Sequence, residues 1–513
     1  MDGTTRCLVR PDTYRDSVEL MRVAAELERL PGVTRAALMM ATPANRELLS
    51  GAGLLDATAS KAGPNDLVVA VAAADRAGGE RALSEAARLL DQQAALSAPS
   101  ADRLPPRSIA EAAAELADAN LALISTPGLY ATAEALKALK RGLHVFLFSD
   151  NVSIADEIEL KRLARTKKLL VMGPDCGTAI LDGVPLGFAN AVRRGRIGLV
   201  GASGTGLQQI SCLIDRLGEG CSQVIGVGGH DLDERVGGLM MQAGIEHLAA
   251  DPGTRVIVLV SKPPAPAVAR QVLEVARSSG KPVVVNFLGG DPAAIRQTGA
   301  VPAATLEDAA GLAVALCRGT KARTTAQRAA APPLTGAART QARRFAKGQR
   351  LIRGLFSGGT LCQEAALILG STAARNGDGA GHTVIDLGDD EFTVGRPHPM
   401  IDFRLRNERI LEAARDPATA VILLDVVLGY GAHPDPAAAL LPAIKNGVKA
   451  ATKARRGLAF VASVCGTASD PQGLSKQEEI LREAGVLLAS SNAQAARLAA
   501  SLVANGRGAR RKD

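Results

Sequence analysis

The sequence predicts an α/β protein built mainly from parallel sheets, and three observations carry that expectation. Continuous apolar runs recur along the chain, among them "LVVAVAA" (67–73), "HVFLFS" (144–149), "IGLVGA" (197–202), "VIVLVS" (256–261) and "AVILLDVVLG" (420–429). Strands that are apolar throughout are covered on both faces, as parallel sheets are. Segments of helical period separate these runs, which is the alternation of βαβ units. Aromatic residues make up only 2% of the chain while Gly reaches 53, a composition suited to close helix-on-sheet packing.

With 513 residues the chain exceeds one core and predicts two to four domains. Residues 1–190 read as a first domain, 191–320 as a second and 351–505 as a third. Between the last two lies a basic linker, 321–350, and 506–513 form a basic tail. A Pro/Ser/Ala-rich stretch, 91–109, is a weaker connector. Nine Lys/Arg and no acid lie in 321–353, and four Lys/Arg with one Asp in 507–513. These segments carry more than the whole net charge of +8, so the folded body is not basic and no nucleic-acid partner is expected. No apolar run reaches the length of a membrane span, and the N-terminal stretch lacks a basic head before an apolar core. The seven cysteines are scattered with no C-x-x-C pair, so neither a zinc site nor a disulfide framework is indicated. A cytoplasmic protein is expected.

The second and third domains read as divergent copies, with four paired features in the same order. "LVGASGTGLQQI" answers to "GLFSGGTLCQEA", and "IGVGGHDLDERVGG" to "IDLGDDEFTVGRPHP". "VLVSKPP" answers to "LLDVVLGYG", and "VVNFLGGD" to "VASVCGTASD". In the first pair a glycine turn joins strand to helix: Ser203-Gly204-Thr205-Gly206, matched by Gly358-Gly359-Thr360. Such a turn lets backbone approach a ligand and aims free N–H groups at an anion; the alternative is a plain tight corner. No Walker Lys follows, and neither turn is a full dinucleotide fingerprint.

Other candidates follow strand-like runs. Asp389, Asp390 and Glu391 come directly after "VIDLG" and are candidates to bind Mg²⁺ or orient an amide substrate, unless they form a solvated loop. Arg396 and His398 sit in "GRPHP", where flanking prolines stiffen the chain and Arg can fork onto a carboxylate or phosphate. His230 and Asp231 occupy the equivalent loop of the second domain. Asp175 and Cys176 lie in "GPDCGT"; Cys176 is a nucleophile only with a lowered pKa, and no base stands nearby in sequence. Thr42, Pro43 and Asn45 open a helix, as a cap or as contacts to a ligand phosphate. Asp425, inside "VILLDVVLG", must be paired or placed at a cleft.

"RIGLVGASGTG" followed by "VIGVGGHDLDERVGG" resembles the ligase half of succinyl-CoA synthetase alpha subunits. The wider set "MMATPANRELL", "FSDNVSIADEIELK", "VMGPDCGT", "VSKPP", "TVGRPHPMID" and "LLDVVLGYG" resembles the FdrA family over nearly the whole chain. The resemblance implies a Rossmann-like CoA-binding domain followed by two flavodoxin-like, CoA-ligase-type domains. It implies acyl or carbamoyl transfer through a phosphate-activated intermediate, as one subunit of an oxamate carbamoyltransferase in purine-ring catabolism. That enzyme converts oxalurate and phosphate to oxamate and carbamoyl phosphate. Phosphate, CoA and Mg²⁺ are the candidate cofactors, with Thr42, Asn45, Asp175 and Cys176 as candidate cofactor contacts. Other subunits of the same complex are the candidate partners. Arg396, His398, Asp389, Asp390 and Glu364 are the candidate catalytic residues; Glu364 matches the glutamate that supports the synthetases' phosphohistidine. The departures are specific. "FLGGDPAAIRQTGA" and "VCGTASDPQ" hold no histidine, so the phosphohistidine is missing, and so is a nucleotide-grasp domain. Two rivals stand beside this reading: an alpha-type acyl-CoA synthetase subunit needing a nucleotide-grasp partner, and a regulatory subunit that binds CoA or a metabolite.

Overall fold

A computed structural model describes residues 4–15, 17–96, 105–320, 334–370, 381–393 and 397–508. The chain divides into two compact units: Met1–Arg107 with Thr393–Pro397, and Ser108–Phe392 with His398–Asp513.

The first unit contains β1 (Thr4–Arg10), β2 (Val33–Met40) and β3 (Leu67–Ala73), ordered β1-β3-β2 with both pairings antiparallel. The structure therefore differs from a single Rossmann-like body over 1–190. The cause lies in β3. Val69 and Val71 face the helices Ser17–Leu27 and Arg76–Leu96, while Val68 and Ala70 pack with Leu49 and Leu54 on the other side. A central strand covered twice reads as continuously apolar whichever way its neighbours run.

The second unit opens with β4 (Leu121–Ile124), β5 (His144–Leu147) and β6 (Val171–Met172), a parallel sheet in that order. Next come β7 (Thr178–Leu181) and β8 (Val184–Gly187), a hairpin turned by Asp182 and Gly183, both at positive φ. An Asp-Gly pair suits that two-residue turn.

Two parallel sheets follow. β9 (Arg194–Ala202), β10 (Cys221–Gly226), β11 (Val256–Ser261), β12 (Val283–Phe287) and β13 (Val301–Pro302) lie in the order β13-β12-β11-β9-β10, extended by β7 and β8. β14 (Leu351–Phe356), β15 (Thr383–Asp386), β16 (Thr419–Val427), β17 (Ala459–Cys465) and β18 (Leu487–Ala489) lie in the order β15-β14-β16-β17-β18. Counted within each domain, both orders are the 2-1-3-4-5 of flavodoxin-like folds. The pairing of the two segments as copies thus holds at the level of topology. One apolar cluster runs through both, joining Leu207 and Ile210 of helix Gly204–Arg216 to Leu361 and Ala365 of helix Gly359–Leu369.

The linker over 321–350 is structured in its second half. Thr335 caps the helix Gly336–Arg343, which buries Ala338 and Ala342 and is followed by buried Phe345. Two alanines one turn apart make a stripe too narrow to register as helical period in so basic a stretch. Most of the tail, 509–513, lies outside the described residues. No described helix is long and apolar enough to cross a membrane.

Candidate functional site

In an open parallel sheet, ligands bind beyond the carboxyl ends of the strands where the strand order reverses. Here that point lies between β9 and β11 in one domain and between β14 and β16 in the other. Both glycine turns start at this point, and the structure brings them against each other. Ser203 Oγ and Thr360 Oγ1 are 2.6 Å apart and share a hydrogen bond. Reciprocally, a Cβ on Gly358 would lie 2.8 Å from Thr205 Cγ2. Ser203 and Gly358 are equivalent positions, as are Thr205 and Thr360, so the contact has the reciprocity of a two-fold interface. Ser203, Thr205, Gly206, Gly358 and Thr360 are buried, whereas Gly204 is exposed and Gly359 partly so. Two helix starts, Gly204–Arg216 and Gly359–Leu369, therefore meet, and the first glycine of each is reached by solvent. Each contributes the positive end of its dipole.

The turns are held differently. In the first, Ser203 caps its own helix by accepting from Gly206 N at 3.1 Å. The second helix has no side-chain cap. Its turn is held from behind by Asp425, which accepts from Ser357 N (2.9 Å), Ser357 Oγ (3.1 Å) and Gly358 N (2.8 Å). Asp425 in turn pairs with Arg406, and both side chains are fully buried. Arg406 also donates to Leu355 O. Asp425 is thus paired as its apolar surroundings demand, and it shapes the turn rather than facing solvent.

Two residues not among the sequence candidates stand beside the second helix start. Lys262 follows β11 directly and is exposed; its Nζ would lie 3.0 Å from a Cβ on Gly359. The same Cβ would overlap Asp386 Oδ2, so a side chain there displaces that carboxylate. Asp386 ends β15, and its Oδ1 accepts from Gly388 N at 3.0 Å. Burial pushes its carboxyl up to about 6, with Lys262 pulling the other way. Both could have been found from their position immediately at strand ends, where the fold class puts the chemistry.

His398 lies beside this group. A Cβ on Gly388 would be 2.8 Å from its Nε2, its Nδ1 accepts from Met400 N, and its ring is 5.8 Å from that of Phe188. Burial holds its imidazole down at about 4, so it is neutral near pH 7. Asp389, three residues past the end of β15, is exposed and accepts from Glu391 N. Asp390 begins the short helix Asp390–Thr393. Arg396 lies outside the described residues.

Glu364 is engaged elsewhere. Its two oxygens accept from Leu306 N (2.7 Å) and Asn492 Nδ2 (2.8 Å), tying together the starts of both domains' last helices. Desolvation raises its carboxyl to about 7. Cys176 is buried, and burial pushes its thiol up to about 12, the opposite of nucleophile activation. Asp175 is exposed at φ 52° and donates its N–H to Ser149 O. Thr42 accepts from Asn45 N, and Asn45 Nδ2 donates to Met40 O, which is helix capping. Asp231 is buried against Lys161 Nζ at 2.9 Å and accepts from Met240 N and Met241 N; His230 is exposed above it. Among the described residues no three His, Cys, Asp or Glu side chains gather as a metal-ligating group.

Comparison with known families matches residues 355–502 to the CoA-ligase family and residues 192–289 to the CoA binding domain. Residues 3–104 match the AllF heavy metal-associated domain. The two glycine turns thus fall in separately matched segments. Protein YahF of Escherichia coli strain K12 is 42% identical over 521 residues, covering 98% of this chain and 99% of that one. A succinate–CoA ligase [ADP-forming] alpha-2 subunit of Trichomonas vaginalis is 31% identical over 150 residues, 28% of this chain and 47% of that protein. A dinucleotide-forming acetyl-coenzyme A synthetase 1 of Ca. Korarchaeum cryptofilum, solved with phosphate and ADP, is 17% identical, with 80% of this chain and 88% of that one aligned and a TM-score of 0.35. The donors of residues 3–104 do not fit a heavy-metal site. Cys7 is their one cysteine and they hold no histidine. Its thiol donates to Leu54 O and burial pushes it up to about 11.

Proposed function

The chain belongs to the family of protein YahF, and from that premise we propose that it is one subunit of a carbamoyl-transfer enzyme with the succinyl-CoA synthetase-like architecture. The reaction is that of an oxamate carbamoyltransferase: oxalurate and phosphate give oxamate and carbamoyl phosphate. The observation that carries this reading is the meeting of two helix starts, with Lys262 beside the second. Phosphate oxygens sit against the N–H groups of the two helix starts, where the backbone needs no reorganisation as charge builds on the carbamoyl carbon's oxygen. Lys262 adds a mobile positive charge. No covalent enzyme intermediate is required, in keeping with the missing histidine after β12 and β17. The AllF-type match and the FdrA resemblance both support a place in purine-ring breakdown.

A second reading, acyl-CoA ligation with a nucleotide-grasp partner, is favoured by the CoA-binding match over 192–289. One experiment separates the two. The chain is purified together with the products of neighbouring genes, and the complex is assayed for carbamoyl phosphate from oxalurate and phosphate, and for CoA thioester from acid, CoA and ATP. Carbamoyl phosphate formation that Thr205→Val suppresses, with unchanged circular dichroism, supports the first reading. CoA thioester formation without oxalurate cleavage replaces it with the second.

A further inference from the structure

We propose that Asp386 relays the proton of the transfer step, between the attacking phosphate and the departing amide nitrogen, and that Lys262 fixes the phosphate it serves. This rests on the carbamoyl-transfer reading above.

The geometry begins at Gly359, the first residue of the uncapped helix. Asp386 Oδ2 and Lys262 Nζ approach its Cα from outside so closely that a methyl group there would overlap the first and press on the second. They come from different domains, one from the end of β15 and the other from the residue after β11. An acid and a base converge on the start of a helix at the switch point. Among the described residues Asp386 accepts at Oδ1, from Gly388 N at 3.0 Å. That leaves Oδ2 directed toward the place where the helix N–H groups would hold phosphate.

The duplicated fold supplies a control. The register β10–β9 pairs Gly226 with Gly201, and β15–β14 pairs Asp386 with Phe356, so Gly226 is the counterpart of Asp386. At Gly226 a side chain would strike Thr178 O and Cys176 Sγ. The position is closed by the β7 strand in the second domain. In the third it is open and carries a carboxylate, so the carboxylate is not a demand of the fold.

The chemistry needs such a group. Oxalurate monoanion and hydrogen phosphate dianion give oxamate monoanion and carbamoyl phosphate dianion. A phosphate oxygen forms the new bond to the carbamoyl carbon, and the bond from that carbon to the amide nitrogen breaks, its electron pair leaving with nitrogen. The phosphate hydroxyl proton passes to Asp386 Oδ2 and from there to the nitrogen, so Asp386 ends as it began and no oxidant or reductant enters. Expelling an amide nitrogen without protonation would place a charge on it that a donor removes. The groups facing Asp386 are Lys262, Asp425, Asp389, the Cys362 thiol and the Gly388 N–H, with neutral His398 across Gly388. Burial and the two other carboxylates outweigh Lys262 and keep the carboxyl at about 6, where a single group both accepts and releases a proton near neutrality.

The test uses the assembled complex, with oxalurate and inorganic phosphate as substrates. Asp386→Asn keeps the acceptor for Gly388 N and is expected to lower kcat by about 10²–10⁴-fold. The KM for phosphate should stay level or fall, because a negative charge leaves the site. The ionisation near pH 6 in the wild-type rate profile should vanish; phosphate's own ionisation is common to both enzymes and cancels in the ratio. Lys262→Met should do the reverse, raising the KM for phosphate more than it lowers kcat. If the wild-type complex cleaves oxalurate and Asp386→Asn matches it in kcat and in pH profile, the relay is overturned and the carbamoyl-transfer reading stands. If the wild-type complex makes no carbamoyl phosphate, that reading falls and the relay with it.

Discussion

The second and third domains share a strand order, a glycine turn and a mutual contact, and they differ in how each turn is held. In the second, Ser203 caps the helix from within the turn, and the residue of β11 behind it is apolar Val260. In the third the capping position is Gly358, and the residue matching Val260 is Asp425, ion-paired with Arg406. The self-capped turn needs nothing from the sheet. The bare turn leaves its helix N–H groups uncovered by its own side chains, and support comes from a buried carboxylate at its back. The difference teaches that the third domain gives up local stabilisation on the face it shares with Lys262 and Asp386, and recovers it in the core.

Substitution at the two supporting positions should expose this asymmetry most strongly. Asp425→Ala would leave Arg406 charged and fully buried without its partner, a loss of about 3–5 kcal/mol. Val260→Ala removes only methyl groups and should cost about 2 kcal/mol. Urea midpoints followed by circular dichroism would give both numbers, and equal losses would mean that Asp425 does no more than fill space.

The turns themselves come next. Gly359→Ala forces its new methyl into Asp386 Oδ2 and toward Lys262; a displacement near 1 Å at a reacting group costs about 100-fold in rate. Gly204→Ala meets only Thr178 Oγ1, at 3.4 Å, and should cost clearly less turnover than Gly359→Ala. Equal tolerance at both positions would remove Gly359 from the account.

Glu364 has Gln209 as its counterpart in the second domain, so it tests a difference in pH response. The folded chain holds a proton on Glu364 up to about pH 7, against an ordinary 4.5. Between those values the folded state binds a proton that the unfolded state has released. Stability should therefore be full below about 4.5, fall by up to about 1.4 kcal/mol per pH unit, and level off above about 7. Glu364→Gln should flatten that slope; an unchanged slope would assign it to other groups.

The smallest expected signal is that of His398. With its imidazole held down at about 4 by burial, its ring resonances should stay constant from pH 8 to pH 5 in NMR titration. A midpoint near 6.5 would show that the loop opens to solvent.

What the sequence made legible follows from where each signal lives. The glycine turns, the duplication and the parallel sheets are local patterns, and each was readable because strand, turn and helix are contiguous. Strand direction in the first unit was not readable, because β3 is apolar for being sandwiched, and sandwiching carries no direction. Lys262 and Asp386 escaped notice because they meet only when two domains close on each other. In sequence they are separated by more than 120 residues, and only their places at strand ends mark them. Glu364 carried a family resemblance toward catalysis, but its carboxylate is spent on Leu306 and Asn492, partners again remote in sequence. For Thr42 and Asn45 the structure shows the capping alternative.

The central claim is that the two glycine turns, pressed together, present their helix N–H groups to one phosphoryl anion. Amide hydrogen exchange of the assembled complex, with and without inorganic phosphate, tests it most directly. The account predicts slower exchange on phosphate addition in peptides covering 203–207 and 358–362 together, at one common half-saturating concentration. Phosphate binding that leaves both peptides unchanged, or slows only one of them, would contradict it.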